Sequence, residues 1–375
     1  MSSSLWTNME IEGATNACTD GRRWSATGVS IDSRKVQPRD IFIAFKGSRV
    51  DGHCYVADAF EKGAAAAIVE RKIDGVSEES PILIVENVQK ALVQIACLAR
   101  NRSEAEFVAV TGSVGKTSSK NLLAKALAQF DSVHATIGNL NNHIGAPLSL
   151  ARLNGSSRFA VFELGMSNTG EIAFLSDLIR PKVALITNVH GVHLEQLKTE
   201  RAIAEAKAEI FNGLLENGSV VLNQDSPWIN FLRSRAEKKG IKNIITFGED
   251  KNADVQLLEW QSGEGKSFVK IQLNHEPYQY VLSETGKHRA LNSVGVLAVV
   301  HALGLDIRHA AECFKSISTP LGRGGQKNID LTTGETFCLV DESYNASPVA
   351  MKSAFSVLKS MKPGPGGRKI IVIGD

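Results

Sequence analysis

Short apolar runs alternate with amphipathic stretches along most of the chain, the pattern of strands laid down between helices. Ile41-Phe42-Ile43-Ala44-Phe45, Ala67-Ile68-Val69 and Ile82-Leu83-Ile84-Val85 read as strands, and Tyr55 to Lys62 as a helix stopped by Gly63. Residues 1–103 are therefore expected to form a small α/β unit. A longer alternation fills 104–318, with strands at 107–110, 159–163, 183–187, 219–223 and 243–247. Helices are expected after the turn at 111–118, across Glu200–Phe211 and over Ala290–Leu303. Strands separated by helices pair in parallel, so this region reads as a mostly parallel sheet covered on its faces. Within the polar stretch 248–287, Phe268-Val269-Lys270-Ile271-Gln272-Leu273 alternates with period two and reads as an antiparallel excursion. A third unit, 319–375, starts at Thr319-Pro320-Leu321-Gly322-Arg323-Gly324-Gly325 and carries a strand at 337–341, a helix at about 348–361 and a strand at Lys369–Ile373. No helix follows that last strand to cover it, so the unit is expected to be incomplete. The fold class expected is α/β.

Composition narrows the classes. With 43% hydrophobic and 22% charged residues over 375 positions, the chain can build two or three ordinary cores. Its 42 basic and 40 acidic residues leave a formal charge of +2, which gives no bulk attraction to nucleic acid or to an anionic membrane. Cys18, Cys54, Cys97, Cys313 and Cys338 are scattered, odd in number and without a C-x-x-C spacing, so neither a disulfide framework nor a zinc site is expected. No apolar run approaches the ~20 residues of a membrane span, and the N-terminus lacks a basic region followed by an apolar one. A cytoplasmic protein is the expectation, without nucleic acid or membrane partners.

The chemistry concentrates where apolar runs end. Phe107-Val108-Ala109-Val110 leads into Thr111-Gly112-Ser113-Val114-Gly115-Lys116-Thr117-Ser118, and Leu123, Leu127 and Phe130 follow at helical spacing. Strand, small-residue loop and helix in this order make a phosphate-binding loop: backbone N–H groups close on phosphate oxygens, Lys116 reaches the β/γ-phosphates and the Thr117 hydroxyl binds Mg2+. Val110 stands where the longest form of the motif has glycine, which leaves the shorter form T-G-x-x-G-K-[ST]. Glu163 ends the 159–163 strand, where a carboxylate holds the Mg2+ of a nucleotide or is simply a solvated strand-end glutamate. Past the 183–187 strand come His190 and His193, either cation ligands or hydrogen-bonded loop histidines, and Lys207, fourteen residues beyond His193 in a helix, whose commoner reading is a solvated lysine.

Together these segments resemble a known family. Thr111–Ser118, Gly138-Asn139-Leu140-Asn141-Asn142-His143-Ile144-Gly145-Ala146-Pro147-Leu148, Glu163-Leu164-Gly165-Met166 with Gly170-Glu171-Ile172, His193-Leu194-Glu195, Lys207–Phe211 and Asp341-Glu342-Ser343-Tyr344-Asn345-Ala346-Ser347-Pro348 occur in the order seen in Mur ligases. Ile31-Asp32-Ser33-Arg34, Asp51-Gly52-His53 and Gly63-Ala64-Ala65 resemble the family's UDP-sugar domain. The resemblance implies three domains: a UDP-substrate domain at 1–103, an ATP-binding domain at 104–318 and an incomplete Rossmann-like domain at 319–375. It implies an ATP- and Mg2+-dependent amide synthetase, acting as a monomer on UDP-N-acetylmuramoyl-tripeptide and D-alanyl-D-alanine through an acyl phosphate. By family position Thr117 and Glu163 hold one Mg2+, while Glu163, His193 and a carbamate on Lys207 serve a second. Asn292 is implied at the adenine, Arg323 at the γ-phosphate and Asp341 or Glu342 at the ribose. Ser33 and Arg34 are implied at the UDP group, and Asn139, Asn141 and Asn142 at the muramoyl-peptide. Glu342 and Ser347 depart from the family's usual Asp and Asn, which shifts the ribose contact by one side-chain length. Family members run on past the position of Asp375, so weak ATP binding and negligible ligation are expected of residues 1–375 alone. Other readings are a different Mur-type or folate–glutamate ligase, a nucleotide-binding module without ligase activity, and a GTPase-type switch, the last disfavoured because no N-K-x-D-like signature appears.

Overall fold

Backbone polar groups buried between helices must pair, and the apolar runs do so as strands of two parallel sheets. The computed structural model describes residues 4–17, 19, 21–191, 197–263, 265–317, 319, 322–332 and 334–374. Near the N-terminus, Gly28–Ser30, Asp40–Ile43, Ala66–Val69 and Ile82–Ile84 form a four-stranded parallel sheet in chain order. The central sheet has nine strands among the described residues. Across it lie Glu276–Leu282, Lys266–Leu273, Val255–Gly263, Asn243–Gly248, Ser219–Asn223, Val183–Ile186, Glu106–Thr111, Phe159–Glu163 and Val133–Ala135. The strands from Val133–Ala135 to Val255–Gly263 are parallel, and the last two turn antiparallel. The expected excursion is thus real and continues the same sheet.

Both faces of the central strands are buried, which is why they read as unbroken apolar runs. Phe107, Ala109, Phe162, Ala184 and Ile186 point to one core. Val108, Val110, Phe159, Val161 and Leu185 point to the other, packed under Leu123 and Leu127 of the phosphate-loop helix Lys116–Leu127 and under Val294 and Leu297 of the helix Lys287–Ala302. Each large side chain so buried contributes roughly 1.5–3 kcal/mol. Period two carries Glu163 onto the face of Phe159 and Val161, toward the phosphate-loop helix. The registers Val110↔Glu163 and Ile186↔Thr111 then bring three strand ends together beside that helix.

The first core does not stop at residue 103. Trp6, Val29, Ile41 and Leu83 share one cluster with Phe107 and Phe162. Trp6 Nε1 donates to the Ala151 carbonyl at 2.8 Å, Arg102 lies 3.6 Å over the Trp6 ring, and Arg152 Nε donates to the Val29 carbonyl at 2.6 Å. The small N-terminal sheet is therefore seated on the central one.

In the third unit Thr336–Asp341 pairs antiparallel with Gly325–Asp330, and Pro348–Ser360 is helical with Ser347 Oγ capping it. Lys369–Ile373 was expected as a strand and is not one. Its side chains lie open, Val372 at 92% exposure, and among the described residues no strand pairs with it. β-propensity makes a strand only where a partner pairs with it. No helix among the described residues is long and apolar enough to cross a membrane.

Candidate active site

The phosphate loop is held open by glycine and by the neighbouring strand end. Gly112 (φ +154°) and Gly115 (φ +83°) take backbone that a side chain disfavours, and a Cβ on Gly112 would stand 1.9 Å from Thr187 Oγ1. Thr187 Oγ1 donates to the Val114 carbonyl at 2.7 Å, Asn188 Oδ1 accepts from Val114 N at 3.0 Å, and Ser113 Oγ donates to the His190 carbonyl at 2.9 Å. The loop is thus pinned by 187–190, with Ser113 N and Val114 N both donating to Asn188, and it leads into a helix whose start has no side-chain cap, the end of a helix where phosphate is favoured. Lys116 Nζ folds back onto the carbonyls of Gly112 (2.8 Å) and Ser113 (3.4 Å). Burial pushes its pKa down, with Glu163 opposing and Arg323 reinforcing the shift.

Glu163 faces this loop with 1% exposure. Its Oε1 accepts from Asn141 Nδ2 at 2.7 Å, whereas the buried Oε2 has no hydrogen-bond partner among the described residues. A buried carboxylate oxygen left bare is costly, and it fits a cation ligand beside Thr117. Lys207, in the helix Glu200–Ala208, is only 2% exposed, which overturns the reading of it as a solvated lysine. Desolvation, then the charge of Lys116, drives its pKa well below the ordinary lysine value, because both disfavour the charged form. His193 lies outside the described residues. Among those residues no cluster of three or more His, Cys, Asp or Glu gathers as a metal site, so a cation here would rely on other donors as well.

Residues 110–300 match the Mur ligase middle domain, and 25–100 match the Mur ligase family, catalytic domain. The UDP-N-acetylmuramoyl-tripeptide–D-alanyl-D-alanine ligase of Rickettsia prowazekii is 36% identical over 92% of this chain and 75% of its own length. This chain belongs to the Mur ligase family. A crystal structure of MurF from Acinetobacter baumannii aligns with TM-score 0.84 and 29% identity over 95% of this Mur ligase and 77% of that chain. A MurF ligase from Thermotoga maritima in complex with ADP aligns with TM-score 0.75 and 31% identity over 90% and 75%.

The other residues implied in this Mur ligase fall into separate places. Asn292 sits over the loop, its amide 2.8 Å from where a Cβ of Gly115 would be. Arg323 stacks 4.1 Å over the Tyr344 ring. Asp341 accepts from Ser343 N (3.0 Å) and Oγ (2.6 Å), which lowers its pKa, while burial raises that of Glu342. Asn142 Oδ1 accepts from Ile144 N and Gly145 N at 3.2 and 2.8 Å in the turn leading into the helix Gly145–Ala151, and Asn139 is exposed. Asn141, implied on the muramoyl-peptide side, is spent on Glu163. Ser33 and Arg34 lie in a short 3-10 turn of the N-terminal unit, where Arg34 clamps Asp32 through Nε and Nη2 at 2.9 Å each.

Sequence reasoning passed over Lys120 and Thr136. Lys120 is buried and donates to the Thr136 carbonyl at 2.6 Å, and Thr136 Oγ1 accepts from Glu163 N at 3.3 Å. The available signal was the i, i+4 spacing of Lys116 and Lys120, which sets both on one side of the helix.

Proposed function

We propose that this chain is an ATP-dependent ligase joining D-alanyl-D-alanine to UDP-N-acetylmuramoyl-tripeptide in the assembly of peptidoglycan precursors. The observation that carries the reading is the pinned phosphate loop facing the unpartnered Glu163 Oε2, in a chain whose relatives bear that activity in their names. A carboxylate resists attack until it carries a leaving group. The γ-phosphoryl group of ATP supplies one on the tripeptide's terminal carboxylate, and the dipeptide amine then displaces phosphate from the acyl phosphate. Thr111–Ser118 would cradle the phosphates, and Lys116 would leave the loop carbonyls to follow the transferring group. Thr117 and Glu163 would hold Mg2+, which when bound neutralises phosphate charge; His193 and Lys207 would serve a second ion. Arg323 would add charge at the γ-phosphate, with Asn292 toward the base and Asp341 or Glu342 toward the ribose. Residues 1–103, with Ser33 and Arg34, would take the UDP group, 104–318 the ATP, and 319–375 part of the closing domain. The working compartment would be the cytoplasm and the working form a monomer.

Assay of phosphate release with ATP, UDP-tripeptide and D-alanyl-D-alanine tests the proposal. One phosphate per UDP-pentapeptide is expected, with loss of both when either acceptor or tripeptide is withheld. Equal turnover with an amino-acid acceptor in place of the dipeptide would point to another amide ligase of the family.

Lys207 would work as a carbamate. Its amine in the neutral form attacks CO2, a proton leaves to solvent, and the buried side chain becomes an anion beside Lys116. In an enzyme extended to the full length of its relatives, Lys207→Ala is expected to lose activity and to recover part of it in millimolar acetate or formate. A Lys207→Ala protein that is fully active, or inactive and indifferent to every short carboxylate, refutes the carbamate.

A further inference from the structure

Arg289, 6% exposed in the first turn of the helix Lys287–Ala302, shares one guanidinium among three parts of the fold. Nη1 donates to Ser118 Oγ on the phosphate-loop helix at 2.6 Å and lies 3.4 Å from Oε1 of the buried Glu284. Nη2 donates to the carbonyl of Arg323, at the start of the third unit. A Cβ on the adjoining Gly324 would stand 2.7 Å from Glu342 Oε1 and 3.4 Å from Arg289 Nη2, so only glycine lets these groups close together. The Arg323 side chain meanwhile lies on Tyr344, near enough for its charge to depress Lys116 and Lys120 alike. The carbonyl of Arg323 is thus tied through Arg289 to Ser118, while its cation lies over Tyr344 within electrostatic reach of Lys116.

We infer that Arg289 is a positioning residue: by bridging Ser118, Glu284 and the Arg323 carbonyl, it latches the third unit to the phosphate loop and sets Arg323 at the phosphate end of the site. This deepens the function proposed above and rests on that reading for the identity of the substrates. A guanidinium suits the task because its planar fork addresses several acceptors at fixed angles. An ammonium would neutralise Glu284 without spanning the other two. The alternative is that Arg289 merely neutralises Glu284, a buried carboxylate that would be costly alone.

The two roles separate experimentally. Arg289→Lys keeps the charge, and the pair Glu284→Gln with Arg289→Gln removes both charges at once; each is expected to keep a Tm close to that of the parent. The latch predicts that both nevertheless raise KM for ATP about tenfold and lower kcat by about the same factor, because misplacement of a phosphate ligand costs rate as well as binding. Affinity for UDP-tripeptide, read by calorimetry, should not move. Hydrogen exchange should quicken at the amides of Gly324 and Tyr344, which donate to the carbonyls of Asp341 (2.7 Å) and Gly322 (3.0 Å). If Arg289→Lys or the neutral pair keeps parental KM, kcat and exchange, Arg289 is only a counter-ion and the latch is overturned. The kinetic arms use a parent extended to the full length of its relatives, of which residues 1–375 span about three quarters; if that parent releases no phosphate with these substrates, the functional reading fails, and the exchange comparison alone then decides the latch.

Discussion

In an enzyme extended to the full length of its relatives, Lys116→Ala is expected to lower ligation about a thousandfold while leaving the fold intact. The lysine makes no ion pair with any described acid; it rests on two carbonyls of its own loop, 2.8 and 3.4 Å away, and gains a full partner only when phosphate arrives. A charge that follows the moving phosphoryl group contributes several kcal/mol to the transition state, which is the origin of the thousandfold. Folding loses little, because burial already disfavours the charged amine. The same change relieves Lys207 of its repelling neighbour and should raise the Lys207 pKa. Single-turnover phosphate release beside a thermal melt checks the first two points. Near-parental turnover in Lys116→Ala would sink the assignment of the loop.

Glu163→Gln is expected to cost about a hundredfold to a thousandfold in turnover and to abolish the ordinary Mg2+ response, as loss of an anionic ligand to a phosphate-bound cation should. Glutamine preserves the shape of the side chain and the oxygen that accepts from Asn141 at 2.7 Å. What it removes is the charge on the bare Oε2, so activity and stability should part company: turnover collapses, while Tm stays near the parental value. A Mg2+ titration of phosphate release, run beside melts of both proteins, reads the two effects separately. Parental Mg2+ dependence in Glu163→Gln would place the cation elsewhere.

The local parts of this protein were legible in its amino-acid order. Thr111–Ser118 could be read because strand, glycine turn and helix are neighbours in the chain, and glycine tolerates the positive φ that Gly112 and Gly115 adopt there. The strands 107–110, 159–163 and 183–187 could be read because burial on both faces leaves an unbroken apolar run. Glu163 and Lys207 could be named as candidates, and the ordered motifs implied the Mur ligases. Tertiary structure alone decided how these pieces meet. Which strand lies beside which is settled by packing between segments far apart in the chain, so the placement of Phe159–Glu163 next to Glu106–Thr111, with Val133–Ala135 outside it, had no local signature. Nor did the bond from Asn141 to Glu163, or the knot of Ser118, Glu284, Arg289 and Arg323. Lys369–Ile373 makes the same point from the other side: its apolar run has strand propensity, yet among the described residues no strand pairs with it. Burial of Lys207 belongs to this class too, because the desolvation that shifts its pKa comes from what folds over it and not from its place in a helix.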